Sequence, residues 1–202
     1  MKYPFFASFI VLCLLLMYEI HKRRNKEAKK YQEFWDEEAK ANSTRRKNID
    51  DLPYITIPDE ILSLDMSIND QITEYQNLLR DLSTEKIVNF TGLTNTDLKL
   101  KYGAPNIDIL SSFDQKYTVL ARTLNDYAYA LYDNGYKNEA ALILEFAIKT
   151  KTDVSKSYTL LAKIYIENNK KEKIKELIDE VSTINSLLKN SIIQKLNELL
   201  NS

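Results

Sequence analysis

The sequence predicts an all-α protein: an N-terminal transmembrane helix, then a stack of helical hairpins closed by a C-terminal capping helix. Three observations predict it. Gly and Pro number only 3 and 4 in 202 residues, too few turn formers for a sheet-rich fold. An uncharged apolar run opens the chain. Near the C-terminus, apolar and small residues recur at helical spacing with a period of 34 residues.

Composition narrows the function classes. The 28 Lys and Arg balance 29 Asp and Glu, for a net charge of −1. Nucleic-acid binders draw most of their affinity from phosphate neutralisation and need a basic excess, so no nucleic-acid partner is expected. The only cysteine, Cys13, and the only histidine, His21, lie within and just after the apolar run. They form no dyad with a distant site and no ligand cluster for zinc. No Gly-rich phosphate loop is present, and no carboxylate pair stands out by spacing. The sequence therefore predicts no enzyme, no cofactor and no metal.

Residues 1–20 are read as a membrane anchor. From Tyr3 to Tyr18 the chain carries no charge, and the stretch to Ile20 spans roughly 27 Å as a helix, close to the hydrocarbon thickness of a bilayer. Tyr18-Glu19-Ile20-His21 is a poor cleavage site for a signal peptide. Lys2 precedes the run, whereas Lys22, Arg23, Arg24, Lys26, Lys29 and Lys30 follow it. The positive-inside rule then predicts a single-pass cell-membrane protein whose soluble part is cytoplasmic.

Residues 21–47 read as a charged juxtamembrane helix. Tyr31, Phe34 and Trp35 share one of its faces, expected to pack on the domain or to lie at the lipid headgroups. Arg45-Arg46-Lys47 reads as a solvated charge cluster after the helix ends. In residues 48–67, Pro53 and Pro58 bracket Tyr54-Ile55-Thr56-Ile57 and force an extended strap, because proline disfavours helix in the residue before it. Residues 68–113 form an expected helical cap. Ile68, Ile72, Tyr75, Leu79 and Leu82 mark one helix, and a second is expected over residues 84–91, ending at Gly92. Thr94-Asn95-Thr96-Asp97 caps a third, which closes at Gly103.

Residues 114–202 hold the repeat. Leu124, Tyr127, Ala128, Leu131, Ala140, Leu144 and Ala147 pair with Tyr158, Leu161, Ala162, Tyr165, Ile174, Ile178 and Val181 at the 34-residue offset. Gly135 and Asn169 fall in the turn of each copy, both tolerant of positive φ. Leu188, Ile192, Leu196, Leu199 and Leu200 then line one side of a last helix, and Lys195 interrupts any third copy, as in a capping helix.

This pattern resembles the tetratricopeptide repeat (TPR), in which a large apolar residue, Leu, Gly or Ala, and Tyr mark the first helix of each pair. The resemblance covers about residues 121–188. It departs at the terminal proline, which is Thr152 and Ser186 here, and at Ile174, where a small residue is usual. The whole chain is also similar to membrane-anchored TPR-like proteins of Gram-positive anaerobes, a likeness that supplies no activity. The resemblance implies a membrane-tethered adaptor or scaffold whose groove binds a protein or peptide partner. Its groove positions would be Arg122, Asn125, Tyr129, Tyr132, Lys156, Thr159 and Lys163, a mixture suited to an extended acidic peptide. An extracytoplasmic envelope or secretion assembly factor of the same fold is the alternative.

Overall fold

The computed structural model describes residues 4–64 and 68–201, with side chains described from Ser8 onward. The regular structure of the described residues is helical, with no strand among them. They fall into two compact units: Met1–Lys47 with Asn95–Asn106, and Asn48–Thr94 with Ile107–Ser202.

The first unit is built on α1 (Pro4–Asn42). Among the described residues, no helix is long and apolar enough to cross a membrane. The expected transmembrane anchor, and with it the single-pass cell-membrane localisation, is corrected accordingly. Lys2 and Tyr3 lie outside the described residues. The uncharged part of α1, Pro4 to Tyr18, rises only about 22 Å at 1.5 Å per residue, short of a bilayer core of about 30 Å. Glu19, Lys22, Arg23 and Arg24 close it, and each charge raises the cost of burial in hydrocarbon.

At its C-terminal end α1 packs on α4 (Asn95–Tyr102). Ala41 and Leu98 are buried, and Glu38 accepts from Thr96 Oγ1 while lying 3.5 Å from Lys99 Nζ. These donors hold the Glu38 carboxyl below its ordinary value, the Thr96 bond first. Residues 44–47 fold back along α4. Lys47 N donates to Tyr102 O at 3.1 Å, and Ala104 N to Thr44 O at 3.0 Å. Arg46 Nε donates to Asn106 Oδ1 at 2.8 Å, and Lys47 Nζ to Leu100 O at 3.0 Å. The expected solvated cluster is thus in part a clasp: Arg46 and Lys47 find fixed acceptors that local sequence does not reveal. Tyr31, Phe34 and Trp35, expected to pack on the domain or at headgroups, are exposed.

The second unit comprises α2 (Asp59–Leu62), α3 (Asp70–Ser83), α5 (Ile107–Asp133), α6 (Lys137–Lys149), α7 (Ser155–Glu167), α8 (Lys173–Thr183) and α9 (Lys189–Asn201). Residues 53–58 carry no regular structure, and Ile57 is buried. Asn69 caps α3 by accepting from Ile72 N at 2.8 Å. The α3 face that packs on α5 buries Ile72, Leu79 and Leu82, together with Gln76. Gln76 Nε2 is satisfied there by Leu64 O at 2.6 Å and Tyr127 Oη at 3.2 Å, as a buried amide requires.

Residues 84–91 differ from expectation, because they are not helical. Ile87, Val88 and Phe90 are buried in a segment without regular structure. Its backbone is satisfied over long range: Ile87 O accepts from Ile55 N at 2.9 Å, and Phe90 N donates to Asp114 Oδ1 at 3.0 Å. Asn89 Nδ2 reaches Thr150 O at 2.9 Å. The helix α5 also starts before the repeat and runs through the boundary expected between residues 113 and 114.

From α5 onward, each helix packs on the next. In six of the seven 34-residue pairs both members are buried. The seventh pairs buried Leu144 with half-buried Ile178. Gly135 has φ +88° and Asn169 φ +55°, so equivalent turns use the left-handed region that Gly and Asn tolerate. Two buried tyrosines lock the α6–α7 connection. Tyr117 Oη donates to Thr150 O at 3.3 Å and Tyr158 Oη to Thr152 O at 2.7 Å. Burial pushes the Tyr117 phenol up to about 12, which keeps it a neutral donor.

Candidate interaction groove

Four of the seven expected groove residues converge. Tyr129 and Tyr132 from α5 and Thr159 and Lys163 from α7 line one hollow of about 550 Å³. Asp133 and Leu160 complete those two walls, and α9 supplies Lys195, Glu198 and Leu199. The size falls within the range of ligand pockets, about 300–1,000 Å³. Sequence reasoning missed the α9 residues because that helix breaks the repeat. The apolar stripe that included Leu199 was its only signal.

The other three expected residues lie elsewhere. Arg122 and Lys156 are exposed but do not line the hollow. Asn125 is buried, accepting from Ser157 Oγ at 3.2 Å and donating to Asp126 Oδ1 at 2.8 Å. It joins α5 to α7, and its amide is already engaged.

One end of the groove is fixed by a charged constellation. Tyr132 Oη donates to Glu167 Oε1 at 2.6 Å, and Lys137 Nζ pairs with Glu167 Oε2 at 2.9 Å. Lys163 Nζ lies 4.9 Å from the Tyr132 ring centroid and Lys137 Nζ 5.7 Å from it, both within cation–π range. One phenol therefore links α5, α6 and α7. Thirty-three residues on, Tyr165 repeats the device. Its hydroxyl donates to Glu145 Oε1 at 2.8 Å, and Lys173 Nζ sits 5.2 Å from its ring centroid.

The bond from Lys137, then that from Tyr132, holds the Glu167 carboxyl below its ordinary value of 4.5. A carboxylate whose folded-state value is depressed stabilises the fold above its unfolded value and loses that contribution as pH falls through the folded value. Stability is thus expected to decline as pH drops below about 4.5. The Glu167→Gln variant should show a shallower decline in urea titrations repeated between neutral and acid pH.

Among the described residues, no group of three or more His, Cys, Asp or Glu is placed to hold a metal ion. The groove's polar groups are phenols, a hydroxyl, ammonium groups and carboxylates, arranged around the apolar Leu160 and Leu199. Such a surface supports binding through apolar contact with polar edges. No family model, curated protein or solved structure matches the chain.

Proposed function

We propose that the second unit is a protein-interaction module, not an enzyme, and that its groove takes an extended segment of a partner protein. The reading keeps the resemblance to TPR stacks as its frame. The observation that carries it is the convergence of Tyr129, Tyr132, Thr159 and Lys163 with Leu160 and Leu199 on a single hollow. Large aromatic surfaces with polar tips are favoured anchors in interfaces.

The partner's chemistry is refined from the expected acidic peptide. Lys163 and Lys195 are matched by Asp133 and Glu198 in the lining, so net charge favours neither sign. The occupant is an aliphatic or aromatic anchor residue flanked by charges of both signs. Tyr129 and Leu199 would contact the anchor, while Lys163 and Asp133 would fix its register.

Selection of displayed peptides against the purified chain tests this reading. Selected peptides should lose about tenfold or more in affinity, equivalent to ~1.4 kcal/mol, with either Tyr129→Ala or Lys163→Glu. Lys173→Glu, outside the groove, should leave affinity unchanged. Equal losses in all three variants, or none in the first two, would count against the groove.

A further inference from the structure

The third wall of the groove, α9, is weakly fixed by its own packing. Only Ile192 and Leu196 among its residues are buried, while Ile193, Leu199 and Leu200 pack on the core with part of their surface still in water. Its polar contact to α7, Lys195 Nζ to Ser155 Oγ at 3.2 Å, is exposed. Ile192 and Leu196 stand one turn apart on one face. Two such anchors fix the line on which the helix rests and leave it free to roll about that line. Roll is the motion that would carry Lys195, Glu198 and Leu199 into or out of the groove.

The loop that leads into α9 supplies the missing restraint. Asn185 Nδ2 donates to Gly92 O at 3.1 Å. Ser186 Oγ donates to Asp153 Oδ2 at 2.8 Å and accepts from Leu188 N at 3.2 Å, and Ser186 O accepts from Lys189 N at 3.3 Å. Leu187 is fully exposed and Leu188 half-exposed, so polar contacts and not burial hold this conformation. Gly92 has φ +83°, and a Cβ there would overlap Asn185 O and stand 2.6 Å from Asn185 Cγ. Glycine alone permits that approach.

Gly92 is itself anchored to the other two walls. Phe90 N donates to Asp114 Oδ1 on α5 at 3.0 Å. Asn89 Nδ2 donates to Thr150 O at 2.9 Å and to Lys151 O at 3.1 Å, in the turn that leads to α7. Helices α5, α7 and α9 are therefore referenced to one short segment at one edge of the stack.

We infer that the contact of Gly92 with Asn185, backed by Ser186 and Asp153, is a latch that sets the roll of α9 and so the width of the groove. The inference rests on the groove reading given above. Gly92, Asn185 and Ser186 are outside the groove lining, which makes them positioning residues. With the latch open, α9 rolls about Ile192 and Leu196, and Leu199 no longer faces Tyr129.

Two variants of the full-length chain test it. Asn185→Ala removes the exposed amide contact, and Gly92→Ala forces the two loops apart. In the free chain both should shift the amide resonances of Lys195, Glu198 and Leu199, the last about 15 Å along α9 from its start. The Tyr129 and Tyr132 amides should stay in place. Gly135→Ala is the control for left-handed strain, because Gly135 has φ +88° and a Cβ there meets nothing within 4 Å. It should leave the α9 amides unmoved. With a peptide selected on the parent chain, Leu199→Ala should weaken binding about fivefold in the parent and less than about twofold beside either latch variant. Tyr129→Ala should cost the same in all three backgrounds. A latch needed only for stability would leave the cost of Leu199→Ala unchanged. Should Gly92→Ala fail to fold, Asn185→Ala carries both measurements. Unmoved α9 amides overturn the inference, and so does an undiminished cost of Leu199→Ala. A Tyr129→Ala chain that binds like the parent counts against the groove instead, and the α9 amides of the free chain still decide the latch.

Discussion

Replacing Leu161 by Ala lowers the unfolding free energy by about 2–5 kcal/mol, the range for removing a fully buried leucine side chain that the surroundings cannot refill. Leu161 is fully buried on α7 and belongs to the main apolar cluster, so the vacated volume is flanked by packed side chains from several helices. Domains of this size have only about 5–15 kcal/mol in total. At roughly 2–4 °C per kcal/mol, the melting temperature should fall by about 5–20 °C. Thermal and urea unfolding followed at 222 nm would measure it. Exposed Lys156 on the same helix is the control, and Lys156→Ala should stay within about 0.5 kcal/mol of the parent. The opposite change at the next position, Ala162→Leu, should also destabilise, by about 1–3 kcal/mol through overpacking. Equal stability of Leu161→Ala and the parent would mean that the two copies of the repeat do not share a packed core.

Gly103→Ala should loosen the first unit. Gly103 has φ +95°, and a Cβ there would stand 2.3 Å from Arg45 O and 2.8 Å from Arg46 Cα. Backbone atoms cannot swing aside as the end of a flexible side chain can. The left-handed conformation alone costs an L-residue about 1–2 kcal/mol, and the overlap adds to it. The strain falls on the clasp in which Lys47 N donates to Tyr102 O and Ala104 N to Thr44 O. Hydrogen exchange at the Lys47 and Ala104 amides should accelerate in the variant, while the Leu161 amide in the second unit keeps its parental rate. Unchanged exchange at both clasp amides would show that the segment relaxes without strain.

The periodic part of the fold was legible because burial and sequence spacing coincide there. Leu124, Tyr127, Ala128 and their 34-residue counterparts are all fully buried, and a helix turns period into facing without long-range information. The segment 84–91 was not legible for the converse reason. Its Ile87, Val88 and Phe90 suit helix or strand equally in a short window. The partners that decide, Ile55 and Asp114 among them, are distant in sequence. Gln76 was missed because a buried amide is polar in sequence and its acceptors, Leu64 O and Tyr127 Oη, come from other elements. The apolar run at the N-terminus shows the limit of hydropathy as a guide to a membrane span, because charges from Glu19 onward interrupt α1, and no helix among the described residues is long and apolar enough to cross a membrane.

The groove was partly legible. Tyr129, Tyr132, Thr159 and Lys163 follow from the repeat register, since first-helix positions at equal phase share a face. Asn125 has a similar phase, yet Ser157 engages it in the interior. Phase alone does not say how deep a residue lies. Arg122 and Lys156 stand beyond the hollow for a related reason: α9 closes the groove next to Thr159 and Lys163, and nothing in the repeat specifies where that helix lands.

The most direct test of the groove is a backbone amide shift map of the full-length chain titrated with a selected peptide. The account predicts that perturbations gather at Tyr129, Tyr132, Thr159, Lys163, Lys195 and Leu199, on three helices at once. Perturbations confined to Tyr31, Phe34 and Trp35, or to the Glu145, Tyr165 and Lys173 side of the stack, would contradict it.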